Sequence, residues 1–408
     1  MKTLLNFTLI ASVILIHFVI ARPFGFPLTI MPFVIIIFVL LHFKYDALSL
    51  RTRLLWFWLL CWPFFIFLIY TALGGVTDFG DFITTYLLWL FSVSIILVCA
   101  RSRIKVIINY SRGLLISFGV VGAFSTAQIV GLKWSGLNFL YNLFSEHSYV
   151  VYEHDVDLLL GKIYMRAPGF YLEPSFCAFV VFSLLSALMI TRQPRHVKAC
   201  LLVLGLLSMW IIGSASGLLI MMVLTILGMV SLLKTHVAKR LLFVIGGLLS
   251  IPIAIASLAD RLAEVSIAGS SGYWRLIAPI SILKDVFVNY PLGVSFGQIE
   301  SFLLLKGLQH GQGVGTSIDN GMYCLAFYFG WFAVFFLSWL VFKLVYAVLR
   351  DRFIDAVYWW YIIGALQFSG GIFLPEFVYP VLLVTYHYRV RIFQLAESSP
   401  IVKTKKWL

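Results

Sequence analysis

Long apolar segments recur along the whole chain, separated by short polar turns and by two longer polar stretches. A helix of about 18 to 20 apolar residues crosses the hydrocarbon core of a bilayer, which is roughly 30 Å thick. The pattern therefore predicts about twelve membrane-spanning helices. They cover 4–21, 24–43, 54–73, 82–100, 114–132, 174–191, 199–213, 216–233, 241–258, 321–349, 355–373 and 377–390.

Three of these segments allow more than one interpretation. The seventh and twelfth are short, and the twelfth contains Pro380, so either could be re-entrant instead of spanning. The first follows Lys2, but its apolar run is longer than the usual 7 to 15 residues of a secretory signal, and no A-x-A-like site follows it. We expect the first segment to be an uncleaved anchor.

The composition supports one membrane domain. Of the 408 residues, 62% are hydrophobic and only 12% are charged, whereas about a quarter of a soluble domain is charged. No water-soluble core could absorb so much apolar surface. We therefore expect an all-α, polytopic integral membrane protein, with residues 1–408 forming a single transmembrane domain.

Basic residues are divided unevenly between alternate connections. With twelve spans, 22 of the 30 Lys and Arg residues fall on the side that holds both termini. The positive-inside rule assigns that side to the cytoplasm. Two long connections, 133–173 and 259–320, then lie on the outer side. The net charge of +13 is spread over short loops, so nucleic-acid binding is not indicated.

Ionisable side chains are nearly absent from the predicted spans, unlike the pattern typical of ion-coupled transporters. We therefore expect the chemistry in the two outer loops. The five cysteines show no paired spacing, which indicates neither a disulfide framework nor a zinc site. The acidic run at 153–157 is too compact for all its members to converge on one metal ion. We expect no metal and no cofactor.

The first outer loop ends with Arg166, Tyr171 and Glu173, just before Pro174. Glu173 could simply complement the positive end of the helix that Pro174 begins. A carboxylate at a membrane surface could also serve as a general base. Arg166 could be an interfacial anchor or a ligand for an anion.

The second outer loop contains the run GSSGYWR at 269–275, followed by apolar residues at helical spacing. Ser270 or Ser271 would cap the helix, and Arg275 would stand beside its free N–H groups. That arrangement predicts a phosphate-binding site. The alternative is an amphipathic lid helix with a snorkelling arginine.

The second loop closes with a glycine-rich stretch at 310–315, which lacks the strand and helix around a nucleotide-binding loop. His310 in this stretch could be a catalyst or an ordinary loop histidine. Asp319 and Asn320 stand at the start of the tenth span, where capping alone could explain both.

Six motifs are similar to those of a known family. They are Arg-x-x-Gly-x-x-x-Glu-Pro-Ser at 166–175, GSASG at 213–217, GSSGYWR at 269–275, IDNGMY at 318–323, WFAVF at 331–335 and GIFLPE at 371–376. Together with the many spans, they resemble Wzy-type polysaccharide polymerases and O-antigen ligases, and within that superfamily the colanic acid (exopolysaccharide) polymerase subgroup. The resemblance covers most of the chain from Tyr164, while the first five spans match in hydropathy.

The resemblance implies a metal-independent glycosyltransferase of the bacterial inner membrane. Its donor would be a glycan on undecaprenyl pyrophosphate, and its acceptor a hydroxyl of the next lipid-linked oligosaccharide repeat. Membrane lipids, a chain-length regulator and a flippase are candidate partners. The implied catalytic residues are Asp319, Glu173 and His310. The implied substrate-binding residues are Arg166 and Arg275 for the pyrophosphate, Tyr171, Tyr273 and Trp274 for sugar rings, and Ser270, Ser271 and Asn320.

Two departures from the family pattern bear on these roles. Ligases carry a histidine where this chain has Asp319, which leaves the base open between the three candidates. Some polymerases have a glycine eleven residues after each loop arginine, but here Cys177 and Val286 stand there. A ligase that moves finished polymer to another lipid shares all these features. A lipid-oligosaccharide flippase predicts a charged central cavity and a repeat between halves, and the sequence indicates neither.

Overall fold

The computed structural model describes residues 2–21, 28–44, 49–75, 77–105, 107–108, 110–135, 169–171, 173–232, 278–306, 318 and 320–398. Within these ranges nearly all regular structure is helical. The first half holds α1 (Lys2–Ile14), α2 (Met31–His42), α3 (Leu50–Ala72), α4 (Phe79–Arg101) and α5 (Ser111–Ser135). The second half holds α6 (Pro174–Ile190), α7 (Arg195–Ile212), α8 (Ala215–Leu232), α9 (Ala278–Asn289), α10 (Ile299–Leu305), α11 (Gly321–Phe329), α12 (Trp331–Leu349), α13 (Phe353–Ala365) and α14 (Pro375–Ser398).

The described strands form two short antiparallel pairs. β1 (Val19–Ala21) pairs with β2 (Leu28–Thr29), and β3 (Phe43–Lys44) pairs with β4 (Arg103–Ile104). The first pair lies within the connection from α1 to α2, and the second joins the connections that follow α2 and α4. The architecture is therefore that of an all-α protein, as the sequence predicts.

Five of the described helices, namely α3, α4, α5, α7 and α12, are long and apolar enough to cross a bilayer. Shorter apolar helices, α1, α2, α6, α8 and α13, accompany them. The chain is thus a membrane protein. The total of twelve spans stays a prediction, and the ninth predicted span at 241–258 lies outside the described residues.

Several predicted spans are interrupted in the structure. The first, 4–21, is helical only to Ile14 and includes β1, and the second, 24–43, includes β2 before α2 begins at Met31. The segment 321–349, expected as one helix, is divided into α11 and α12 at Gly330, which has a φ of 52°. A Cβ atom at Gly330 would collide with the carbonyl of Pro291. The glycine therefore allows the segment that follows α9 to pack against the break between α11 and α12. The segment 355–373 is also not one helix, because α13 ends at Ala365 and residues 366–374 are not helical.

Helix α6 forms the centre of the described core, since all its residues from Pro174 to Ile190 are buried. A helix that is apolar on every side can lie in a protein core or face lipid, and here α6 packs against α5, α7, α13 and α14. Small residues allow the close approach, as where Gly364 of α13 faces the ring of Phe182. Other parts of the structure are positioned around this helix.

Polar contacts join connections that the charge distribution assigns to the same side. Gln298 accepts from the amide of Asp78 at 2.8 Å and donates to its carbonyl at 2.8 Å, and both residues are predicted to be outside. At the other side Arg389 donates to the carbonyls of Cys99 and Ser102. The contacts agree with the predicted order of turns, while the assignment of one side to the cytoplasm stays a prediction.

Reporter fusions test that assignment. We expect fusions after Lys198 and Arg240 to give cytoplasmic signals, and fusions after Glu153 and Lys284 to give external ones, because the basic residues concentrate on the first side. An enzyme reporter active only outside the cytoplasm, paired with a fluorescent reporter active only inside, measures both. A cytoplasmic signal after Lys284 would contradict the prediction.

Candidate functional site

The starts of three helices, α6, α11 and α14, are connected through a continuous set of contacts. The rings of Phe179 in α6 and Phe377 in α14 stack with centroids 5.0 Å apart. The amide of Gly321, which begins α11, donates to the carbonyl of Leu366 at 2.7 Å, in the segment that leads to α14. We call Tyr171, Glu173, Asn320 and Glu376 the helix-start cluster. The first turn of each helix has free N–H groups and a partial positive charge, which favours bound anions.

Glu173 is the residue immediately before the first turn of α6. Its backbone is extended, and its carbonyl accepts from the amides of Phe176 at 3.1 Å and Cys177 at 3.2 Å. The side chain makes no capping hydrogen bond and is only partly buried. Glu173 therefore lies at the positive end of the helix without acting as its hydrogen-bonding cap.

Gly169 and Gln128 fix the path of the chain into this helix. Gly169 has a φ of 64°, and its amide donates to Gln128 Oε1 at 2.8 Å. The amide group of Gln128 in turn donates to the Gly169 carbonyl at 3.1 Å. A Cβ atom on Gly169 would lie 3.0 Å from Cys177 Sγ. The glycine of the Arg-x-x-Gly-x-x-x-Glu motif is thus required by local geometry.

Tyr171 lies inside the protein. Its hydroxyl donates to the carbonyl of Val13 at 3.2 Å, and its ring makes contact with Phe176 and His17, each with a centroid distance of 5.9 Å. Burial, with a smaller effect from Cys177, raises the pKa of the Tyr171 hydroxyl well above its usual value. The phenol therefore stays neutral and holds the segment before Glu173, while the predicted stacking of Tyr171 on a sugar stays a prediction.

Asn320 caps α11. Its Oδ1 accepts from the amide of Met322 at 2.9 Å, and its Nδ2 donates to Gln367 Oε1 at 2.7 Å. The capping role considered from the sequence is confirmed, and the second bond adds a contact that the sequence does not indicate. Asn320 thereby ties the start of α11 to the segment before α14. Its role in substrate binding stays a prediction.

Glu376 is the member of the cluster that the sequence analysis did not select. It lies in the first turn of α14, is 4% exposed, and accepts a hydrogen bond from the hydroxyl of Thr29. A signal was present, since Pro375-Glu376 at one helix start resembles Glu173-Pro174 at another. Thr29 gave no such signal, because it is 347 residues from its partner.

The segment 366–374, which leads to Glu376, reaches into the apolar layer. The hydroxyl of Ser92 donates to the carbonyl of Phe373 at 2.7 Å, and Ser92 lies near the middle of α4. Non-helical backbone occurs at membrane depth only where it is enclosed by protein or lines a cavity. The segment that leads to Glu376 therefore lies beside the middle of α4 and not beyond either end of that helix.

The remaining predicted site residues lie outside the described residues. They are Arg166, Ser270, Ser271, Tyr273, Trp274, Arg275, His310 and Asp319. Two of them are adjacent in sequence to well-defined positions: Asp319 directly precedes Asn320, and Arg166 is three residues before Gly169.

Replacement of Gly169 tests the geometry of the segment before Glu173. We expect Gly169→Ala to lower the free energy of unfolding by about 1 to 2 kcal/mol, because a side chain disfavours a positive φ and would press on Cys177. Thermal unfolding of the purified protein in detergent measures the change. Gly119→Ala is the matched control, since a Cβ at Gly119 in α5 meets no atom within 4 Å. Equal stability of the two variants would contradict the assignment.

Comparison with known proteins agrees with the resemblance seen in the motifs. A family model described as WcaD colanic acid polymerase matches residues 4–391. A curated protein of Escherichia coli (strain K12), named "Putative colanic acid polymerase", is 26% identical over 330 residues, which cover 76% of this chain and 79% of the relative. Since the family model spans nearly the whole chain, the protein belongs to the WcaD colanic acid polymerase family.

Proposed function

We propose that the protein is a polysaccharide polymerase that transfers a growing glycan from undecaprenyl pyrophosphate to a hydroxyl of the next lipid-linked repeat. The reaction would take place at the outer face of the bacterial inner membrane. Membership of a polymerase family supports the class of reaction. The observation that supports the proposed site is the contact between the starts of α6, α11 and α14, two of which carry the carboxylates of Glu173 and Glu376.

The leaving group of this reaction is a pyrophosphate, which gains negative charge as the sugar–oxygen bond breaks. Arg166 and Arg275 are the proposed ligands, because a guanidinium can donate two parallel hydrogen bonds to phosphate oxygens. The N–H groups of Ser270 and Ser271 at a helix start would add donors. Preorganised positive groups of this kind stabilise developing charge, so the proposed mechanism uses no divalent ion.

The acceptor hydroxyl must lose a proton as its oxygen bonds to the anomeric carbon. Asp319 and Glu173 are the proposed candidates for the base that takes this proton. Glu173 is partly exposed at the start of α6, and partial exposure suits a group that must contact substrate. Asp319 directly precedes the Asn320 cap of α11. His310 is the third candidate.

Glu376 has surroundings that favour a different role. It is more deeply buried than Glu173 and accepts a hydrogen bond from Thr29, so it connects the β1–β2 pair to α14. We assign it to positioning. Tyr273 and Trp274 are the proposed sugar-stacking residues, because aromatic faces pack against the apolar faces of sugar rings.

Elongation by the purified protein tests the function and the base together. Lipid-linked repeats incubated with the protein in excess chelator should give a ladder of longer products. Asp319→Asn or Glu173→Gln, whichever removes the base, should lower the rate by about two to four orders of magnitude at normal membrane levels. Glu376→Gln should cause a smaller loss, since an amide oxygen can still accept from Thr29.

The matched control is Glu300→Gln, which changes an exposed carboxylate in the first turn of α10 and should elongate normally. If Asp319→Asn and Glu173→Gln both elongate normally, the carboxylate assignment is wrong and His310 becomes the next candidate. Absence of any ladder from the unmodified protein, with or without a divalent ion, would contradict the polymerase function itself.

The arginines are tested by a change that keeps their charge. Arg275→Lys and Arg166→Lys should each impair elongation strongly, because lysine lacks the planar fork that binds two phosphate oxygens. The measured quantity is the elongation rate over a range of donor concentrations. Arg22→Lys, on the same predicted side but in neither loop, is the control. Normal elongation by both loop variants would exclude bidentate phosphate binding.

A further inference from the structure

Arg391, near the end of α14, has an unusual environment at the opposite side of the protein from the helix-start cluster. Its Nε and Nη1 atoms are buried and have no hydrogen-bond partner among the described residues. A guanidinium is always charged and has five N–H donors. Buried charged donors normally have acceptors, so this position favours a bound acceptor.

Arg389, two residues earlier on the same helix, provides an internal comparison. Its guanidinium donates to the carbonyls of Cys99 and Ser102, the second at 2.6 Å. The protein therefore satisfies one of two neighbouring arginines with its own backbone. Within the described part of the chain, the Nε and Nη1 atoms of Arg391 donate to no such acceptor.

Lys198, in the first turn of α7, adds a second cation. Its ammonium donates to the carbonyl of Met189 at 2.5 Å and lies 5.9 Å from the centre of the Phe353 ring. An ammonium has three N–H donors, and the Met189 carbonyl accepts from one of the three on Lys198. The Lys198 side chain is partly buried, which reduces the access of water to its other two N–H donors.

The positive charges in this region repel each other. Lys198 binds the carbonyl of Met189 at the end of α6, Arg192 follows that end, and α14, which carries Arg391, packs against α6. The charge of Arg391 repels that of Lys198, and the charge of Arg192 repels that of Arg391. The acidic side chain on the adjacent α13, Asp355, is engaged elsewhere: it accepts from the hydroxyl of Tyr388 at 2.9 Å and pairs with Arg352 at 4.0 Å. An anion between the three cations would offset their repulsion.

We propose that Arg192, Lys198 and Arg391 form a binding site for a phosphate group. The fork of Arg391 can donate two hydrogen bonds to phosphate oxygens, and Lys198 and Arg192 supply further charge. The predicted topology puts all three where spans end on the cytoplasmic side, at the level of lipid headgroups. Basic pockets between membrane helices bind anionic headgroups, so the expected source of the phosphate is a lipid of that leaflet. The site is independent of the proposed glycosyl transfer.

Ligand-dependent thermal stability of the full-length protein tests this site. The purified protein, freed of lipid in a neutral detergent, is titrated with phosphatidylglycerol, with phosphatidylcholine, and with sodium phosphate against sodium chloride at matched ionic strength. A ligand that binds only the folded state raises Tm in a saturable manner. We expect phosphatidylglycerol to do so more strongly than phosphatidylcholine.

The variants locate the effect. Arg391→Gln and Lys198→Gln should weaken the apparent affinity by about ten- to a hundredfold, the usual effect of losing a charged hydrogen bond, and Arg391→Lys should lose less. Arg51→Gln, an exposed basic residue on the same predicted side, should respond like the unmodified protein. If Arg391→Gln does not fold, Lys198→Gln still tests the site, since its amide can donate to the Met189 carbonyl.

The separate titrations identify the source of the phosphate. A saturable response to phosphatidylglycerol that depends on Arg391 and Lys198 supports a lipid headgroup. A response to sodium phosphate alone, with the same dependence, supports the site with a free ion as ligand. The proposal is overturned if no ligand raises Tm, or if the unmodified protein and both glutamine variants respond alike to every ligand.

Discussion

Each helix that begins inside a membrane protein must satisfy the N–H groups of its first turn without water. The helix-start cluster shows how this chain meets that requirement. Helices α6 and α14 begin at Pro174 and Pro375, and a proline has no N–H group to satisfy. Helix α11 instead uses the side chain of Asn320, which accepts from Met322. The residues at the three helix starts are therefore those that satisfy or remove N–H groups of the first turn.

The same constraint limits how a phosphate could bind at the cluster. A carboxylate beside a helix start offsets part of its positive charge, and Glu173 and Glu376 both occupy such positions. In the proposed reaction the helix starts alone are therefore weak ligands for pyrophosphate. Additional cations are needed, and the loop arginines Arg166 and Arg275 are well suited to supply them. In the proposed reaction the carboxylates would then act on the acceptor, where a base is required.

The sequence predicts the helices better than it predicts their interruptions. Segments 54–73 and 82–100 correspond to α3 and α4 within a few residues, because apolar length alone defines them. The seventh span appeared short because Arg195 and Lys198 reduce its hydropathy, yet α7 includes both. The break at Gly330 depends on the close approach of Pro291, which no local pattern indicates.

The candidate site also contains features that depend on contacts between residues far apart in sequence. Glu173 and Asn320 could be selected because proline, asparagine and acidic residues at the start of an apolar run have known local roles. Glu376 could not be ranked, since its significance comes from burial and from Thr29, which is 347 residues away. The contrast between Arg389 and Arg391 is likewise invisible in sequence, as both appear as basic residues at the end of the last predicted span.

Helix α14 explains why the first spans belong to the same functional unit as the motifs. Hydrogen bonds connect it along its length to the N-terminal part of the chain, from Thr29 to Glu376, between Ser12 and Tyr379 at 2.5 Å, and from the Ile108 amide to Tyr386 at 2.9 Å. The motifs resemble the family from Tyr164 onward, but the position of Glu376 depends on residues before that point. The family match, which covers residues 4–391, includes these N-terminal partners of α14.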